Sequence, residues 1–73
     1  MSYDQQIKIY EDRITLLEEM KITLLSKSGY FSKLNGSEMF DNYIGRINVD
    51  LDENYQHITI LKIRKMMGFP TQL

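Results

Sequence analysis

The sequence predicts an all-α protein, an antiparallel helical hairpin, and three observations predict it. Residues 2–27 carry apolar side chains at helical spacing behind a helix-start signal. Residues 28–36, "SGYFSKLNG", are rich in turn formers. Residues 37–67 resume the helical spacing, as one long helix or two shorter ones, and close on helix-stop signals. With 73 residues the chain has room for one domain, so its elements must bury their apolar faces on each other or on a partner.

In the first element, Ser2 and Gln5 have the spacing of a capping box. Asp4 in the first turn and Lys27 near the end complement the helix dipole. Tyr3, Ile7, Tyr10, Ile14, Leu17 and Leu24 step by fours and threes as a heptad seam does, and Leu25 joins that stripe. Ile9, Leu16 and Met20 form a second stripe beside it. The motif "ITLL" occurs at 14–17 and again at 22–25, with a near-copy, "ITIL", at 58–61. Eight residues is not a whole number of helical turns, so the two copies spread their side chains around the helix, with Thr15 and Thr23 towards the polar side. A strand would put both copies on one face, but the intervening "EEMK" is poor strand sequence.

Ser28-Gly29 can end the first helix and Asn35-Gly36 marks a turn. Tyr30, Phe31 and Leu34 have two readings, side chains tucked under the helix ends or an exposed aromatic anchor for a partner. The second leg starts near Asn35 or Ser37. Met39, Phe40, Tyr43, Ile44 and Ile47 share a narrow face, with Asp41, Asn42 and Arg46 away from it and Gly45 opposite. Asp50 and Glu53 have cap spacing, which would divide the leg into helices over about 37–48 and 50–67; with no internal proline, one continuous helix is the other reading. Lys62, Arg64 and Lys65 in the last turns, Gly68 at the C′ position, Phe69 as its apolar contact and Pro70 beyond are stop signals, leaving 68–73 as a tail in which "PTQL" is expected to fray. In this leg Leu51, Tyr55 and Ile58 are expected to face the first helix, and Ile60, Ile63 and Met67 to point away. A rival β-hairpin draws on the alternation of Ile47, Val49 and Leu51 and on "HITILKI", but it lacks a two-residue glycine turn and ignores the capped C-terminus.

The residues that carry chemistry do not converge. There is no cysteine, hence no disulfide and no thiol nucleophile, and His57 is the only histidine. Glu53, four residues earlier, could orient its imidazole, but no nucleophile is signalled beside it; an exposed ion pair is the simpler reading. The acid pairs Glu11-Asp12, Glu18-Glu19 and Asp52-Glu53 diverge by about 100° on a helix. Asp50, Asp52 and Asn54 are spaced like calcium ligands, but Tyr55 and Leu61 stand where that loop needs glycine and an acid. The expectation is no enzyme, no metal and no cofactor. A net charge of −1 with both signs mixed argues against nucleic acid, including a helix-turn-helix role for three short helices. No run reaches the roughly 20 apolar residues of a membrane span, and the polar, acidic "MSYDQQIKIYED" does not read as a signal peptide, so the expected location is the cytoplasm.

What stands out is surplus apolar surface. Ile9, Leu16 and Met20 on one leg and Ile60, Ile63 and Met67 on the other are the candidate partner-binding residues. Lys21 and Lys62 fall at seam positions, either snorkelling to water or fixing register and partner choice. A protein partner offering an amphipathic helix would fit such a surface, as would a second copy, pairing two hairpins into a bundle. The five methionines make it adaptable. A first helix of about 26 residues, a short break and a longer helical return resemble the small E-type co-chaperones of type III secretion needle subunits. That resemblance implies a helical hairpin that joins a helical-repeat chaperone and keeps a needle protein unpolymerised in the bacterial cytoplasm. It carries no residue roles. The expected function is therefore a chaperone-like adaptor, a homodimer when alone. The alternative is a small phage or mobile-element regulator that binds and inhibits a host protein.

Overall fold

The computed structural model describes residues 1–27, 33 and 37–71. It is a hairpin of two antiparallel helices, α1 (Tyr3–Ser26) and α2 (Ser37–Met67). The expectations for Ser28-Gly29, Tyr30, Phe31, Leu34 and Asn35-Gly36 lie outside the described residues.

The start of α1 is held as the sequence predicts. The Gln5 N–H donates to Ser2 Oγ at 3.1 Å, and the Ser2 N–H donates to Gln5 Oε1 at 2.9 Å, so two donors that a helix start leaves unpaired are satisfied reciprocally. At the other end of the molecule α2 closes in a Schellman motif. Gly68 has φ of 76°, which favours glycine; its N–H donates to Lys65 O at 3.2 Å and that of Phe69 to Arg64 O at 3.0 Å. The tail is tied at its start, as far as the first residue of the stretch expected to fray: the Tyr3 hydroxyl donates to the carbonyls of Phe69 and Pro70 at 2.6 and 3.1 Å.

Of the two readings of the return leg, one long helix or two, the structure has one helix of 31 residues with no division near residue 49. Asp50 does not cap a new start. Its carboxylate pairs with Arg46 at 3.2 Å, and its carbonyl accepts from Asn54 Nδ2 at 2.6 Å. Helical i,i+4 partners thus absorb the polar groups that suggested a break. Gly45 lies exposed within the helix, where it costs about 1 kcal/mol relative to alanine.

Side chains turned inward step by threes and fours along both legs: Tyr3, Ile7, Tyr10, Ile14, Leu17, Lys21 and Leu24 on α1, Phe40, Ile44, Ile47, Leu51, Asn54, Ile58 and Leu61 on α2. The steps average about 3.5 residues. That spacing explains five misplacements. The α2 seam steps from Leu51 to Asn54 to Ile58 to Leu61, so Tyr55 and Lys62 fall outside it and are exposed. Leu24, not Leu25, continues the α1 seam, and Leu25 is exposed. Met39 and Tyr43 are also largely exposed, while Phe40, Ile44 and Ile47 turn inward. Lys21 is half-buried where the sequence placed it.

The enclosed core among the described residues is four isoleucines, Ile7, Ile14, Ile47 and Ile58. Tyr10, Leu51 and Leu61 flank the cluster formed by Ile7, Ile14 and Ile58. The result is a rod of 52 × 17 × 15 Å with a radius of gyration of 16.2 Å, against about 11 Å for a compact chain of this length.

Candidate protein-binding groove

Two heptad series on α2 and two on α1 border one side of the seam. On α2 they are 43/50/57/64 and 46/53/60/67; on α1 they are 6/13/20 and 9/16/23. The same series gives different surfaces at the two ends of the rod.

Towards the chain termini this side is closed. Tyr10 and His57 stack across the legs, with ring centroids 5.0 Å apart and planes 14° apart, and the Arg13 guanidinium lies 5.3 Å from the Tyr10 centroid. His57 therefore packs on an aromatic ring rather than pairing with Glu53, as the sequence suggested. Only a shallow depression of about 150 Å³ is left, lined by Tyr3, Gln6, Tyr10, His57, Ile60, Leu61 and Arg64.

Further along, the position equivalent to His57 is Asp50, and it turns aside to Arg46. Among the described residues nothing fills the place of the ring stack. A groove of about 670 Å³ opens, with Leu16, Leu17, Met20 and Leu24 as one wall and Tyr43 and Ile47 as the other. Its rim carries Glu19, Thr23, Arg46 and Asp50. This is an apolar floor with charged edges, the arrangement that receives an amphipathic helix between two others.

The six candidate residues are all exposed, from 39% for Ile9 to 63% for Met67, but they do not form one patch. Leu16 and Met20 line the main groove, and Ile60 lines the shallow depression. Ile9, in the series of Leu16 but beyond the groove, lies at the outer edge of that side with Met1, Asp4, Gln5 and Lys8, while Ile63 and Met67 stand exposed near the end of α2. Sequence reasoning missed Tyr43 as a groove wall because it was assigned to the inward face. Its heptad relation to Asp50, His57 and Arg64 is the signal that marks it as a flank residue.

The other side of the seam is joined by polar contacts. The Tyr55 hydroxyl donates to a Glu18 carboxylate oxygen at 3.0 Å, and this hydrogen bond to an acceptor holds the tyrosine pKa above its ordinary value near 10.0. Lys65 meets Asp4 at 2.6 Å. Lys8 pairs with Asp12 at 2.7 Å along α1, which raises the lysine pKa. Among the described residues no three His, Asp or Glu side chains gather as a metal site, and no helix is long and apolar enough to cross a membrane. Comparison of the chain with protein-family models, with curated proteins and with solved structures finds no match.

Proposed function

We propose that the hairpin is a non-enzymatic adaptor that covers an amphipathic helix of a partner protein. The observation that carries this reading is the groove between Leu16, Met20 and Leu24 on α1 and Tyr43 and Ile47 on α2. A third helix laid there places apolar anchors at i, i+3 or i+4, and i+7 against both walls. Such a helix turns a two-helix rod, which encloses only four side chains among its described residues, into a three-helix core. The charged rim, Glu19 on one side and the Arg46–Asp50 pair on the other, orients the guest without contributing much affinity.

The two-helix layout is the one that resembles the needle-subunit co-chaperones, so a secretion needle subunit is the first partner to test. In that form of the proposal the groove withholds a polymerising helix until export. The experiment is co-expression with the needle subunit and its helical-repeat chaperone, alongside recovery of partners from the native host by mass spectrometry. Both are repeated with Leu16→Lys and Met20→Lys. The expected result is a defined helical partner whose affinity falls at least about tenfold, near 1.4 kcal/mol, in either variant while helix content is kept. Full retention of binding by the doubly substituted protein would sink the reading, since lysines cannot line an apolar contact without loss.

A further inference from the structure

We infer that the groove side of the hairpin is also a twofold interface, on which a second copy of this chain seats to form a four-helix bundle. This goes beyond the adaptor reading and does not depend on it.

Area is the first ground. A compact chain of 8.7 kDa exposes roughly 4,700 Å², whereas this rod exposes 5555 Å². The surplus, roughly 800 Å², is one partner's share of a standard protein interface. It is not gathered in one groove. On the groove side Ile9, Leu16 and Met20 of α1 and Ile60 of α2 contribute to it from both legs, while Ile22, Leu25 and Val49 contribute outside that side. A single guest helix covers the strip between the legs; a second rod of the same length and width covers the legs themselves.

Charge is the second ground. Residue numbers of partners facing across the legs add to 67 for Tyr10 and His57 and to 69 for Asp4 and Lys65. For Tyr55 and Glu18 they add to 73, so Arg13 on α1 and Glu53 on α2, which add to 66, lie within a few residues' rise of one level, a gap that two long side chains can span. Both are exposed, and neither is in an ion pair among the described residues. A twofold axis along the rod lays α1 of one copy antiparallel on α2 of the other, level for level. Arg13 of each copy then meets Glu53 of the other, and the four charges alternate in sign around the axis. The same operation brings Ile9 of one copy to Ile60 of the other. Every neighbouring pair of helices is antiparallel, the arrangement of an up-down four-helix bundle.

The purified full chain at about 100 μM is expected to sediment at twice its 8.7 kDa mass. Arg13→Glu and Glu53→Arg each place like charges in the ring and should raise the dissociation constant at least about tenfold. The double variant Arg13→Glu/Glu53→Arg should restore it. Because the chain has no native cysteine, the register can be read directly: Ile9→Cys protein mixed with Ile60→Cys protein should cross-link far more than either alone, with Lys62→Cys as the control on the other side of the seam. A monomer at that concentration would overturn the proposal. So would single charge reversals without effect, or an Ile9→Cys variant that links chiefly to itself, which would mean α1 lies on α1. A monomer that still captures a partner helix leaves the adaptor reading intact, whereas a dimer that captures none removes that reading and keeps this one.

Discussion

The two halves of the hairpin are built on the same heptad frame and differ in what occupies its flanks. In the half that holds the chain ends, Tyr3 ties α1 to the Phe69–Pro70 carbonyls, Asp4 meets Lys65, and Tyr10 stacks on His57. Three of the four enclosed isoleucines, Ile7, Ile14 and Ile58, form one cluster there. In the half beyond Leu17, the flank of Ile47 is the open groove. Closure and opening thus follow from single residues at equivalent positions: a ring at 57 spans the legs, and a carboxylate at 50 folds back onto its own helix. The cross-leg ties and the isoleucine cluster lie where the chain ends meet, and the groove lies where they do not.

The strongest way to break this contrast is to truncate the core on each side of it. Ile14→Ala leaves a void sealed between packed legs, and a loss of about 3–4 kcal/mol is expected, most of what a core this small supplies. Ile47→Ala opens into a groove that water and neighbouring side chains can enter, so its cost should stay near 2 kcal/mol, although Ile47 is the more enclosed of the two at 5% against 8%. Urea unfolding of both variants is the measurement. Equal losses would mean that the groove is no more yielding than the closed half.

Asn54 sharpens the contrast from inside the seam. Its Oδ1 is buried without a hydrogen-bond partner, while its Nδ2 bonds only the Asp50 carbonyl of its own helix. Asn54→Leu has the same shape and removes the orphaned acceptor, so a gain of about 1–2 kcal/mol is expected by urea or thermal unfolding. A polar residue at a seam position limits the registers in which the legs can pair. Amide exchange of the more stable variant should then show whether the legs gain alternative alignments. A variant no more stable than the parent would indicate that the acceptor is satisfied by water.

How far the sequence could be read follows the same division. The start of α1 and the end of α2 were legible because caps are local: Ser2 needs only Gln5, and Gly68 needs only the turn before it. The α1 seam was legible because its spacing is unbroken except at Lys21. The α2 seam was misread at Tyr55 and Lys62, since a step of four from Leu51 or Ile58 is as helical as a step of three, and only the packed partner decides between them. Continuity through residue 49 was hidden because Asp50 looks like a cap until Arg46 is seen to claim it. Surplus apolar residues were visible, but not depth. That Leu16 and Met20 share a groove with Tyr43, while Ile9 and Ile63 do not, depends on how the two flanks meet.

Gly45 is a smaller lever on the open half. A Cβ added there meets no atom within 4 Å, and the residue lies within α2. Gly45→Ala should therefore stabilise the protein by about 0.5–1 kcal/mol through the helix itself, without touching the groove walls. The gain should appear as slower amide exchange in the first turns of α2, with partner or self-association unchanged. A loss of association in this variant would place Gly45 under an incoming chain and extend the interface beyond the groove side.

The least costly change lies near the boundary between the halves, where Tyr55 reaches Glu18 on the far side of the seam. The hydroxyl can donate only while protonated, and donation raises its pKa in the folded state above the unfolded value near 10.0. A raised folded pKa means that the contribution is fully present below the unfolded value and lost as pH climbs through the folded one. Parent protein should lose this contribution above about pH 10, and Tyr55→Phe should lack that part of the dependence while unfolding only slightly more easily at neutral pH. Stability measured between pH 7 and pH 11 in both proteins separates this link from the general effect of base. Its main consequence is positional. A contact at Glu18 is the last of the polar ties described from the chain ends, so removing it should extend fast amide exchange from the open half towards Leu51. If exchange at Leu51 does not change, the ring stack at Tyr10 and His57 rather than the Tyr55 hydroxyl sets where the closed half ends.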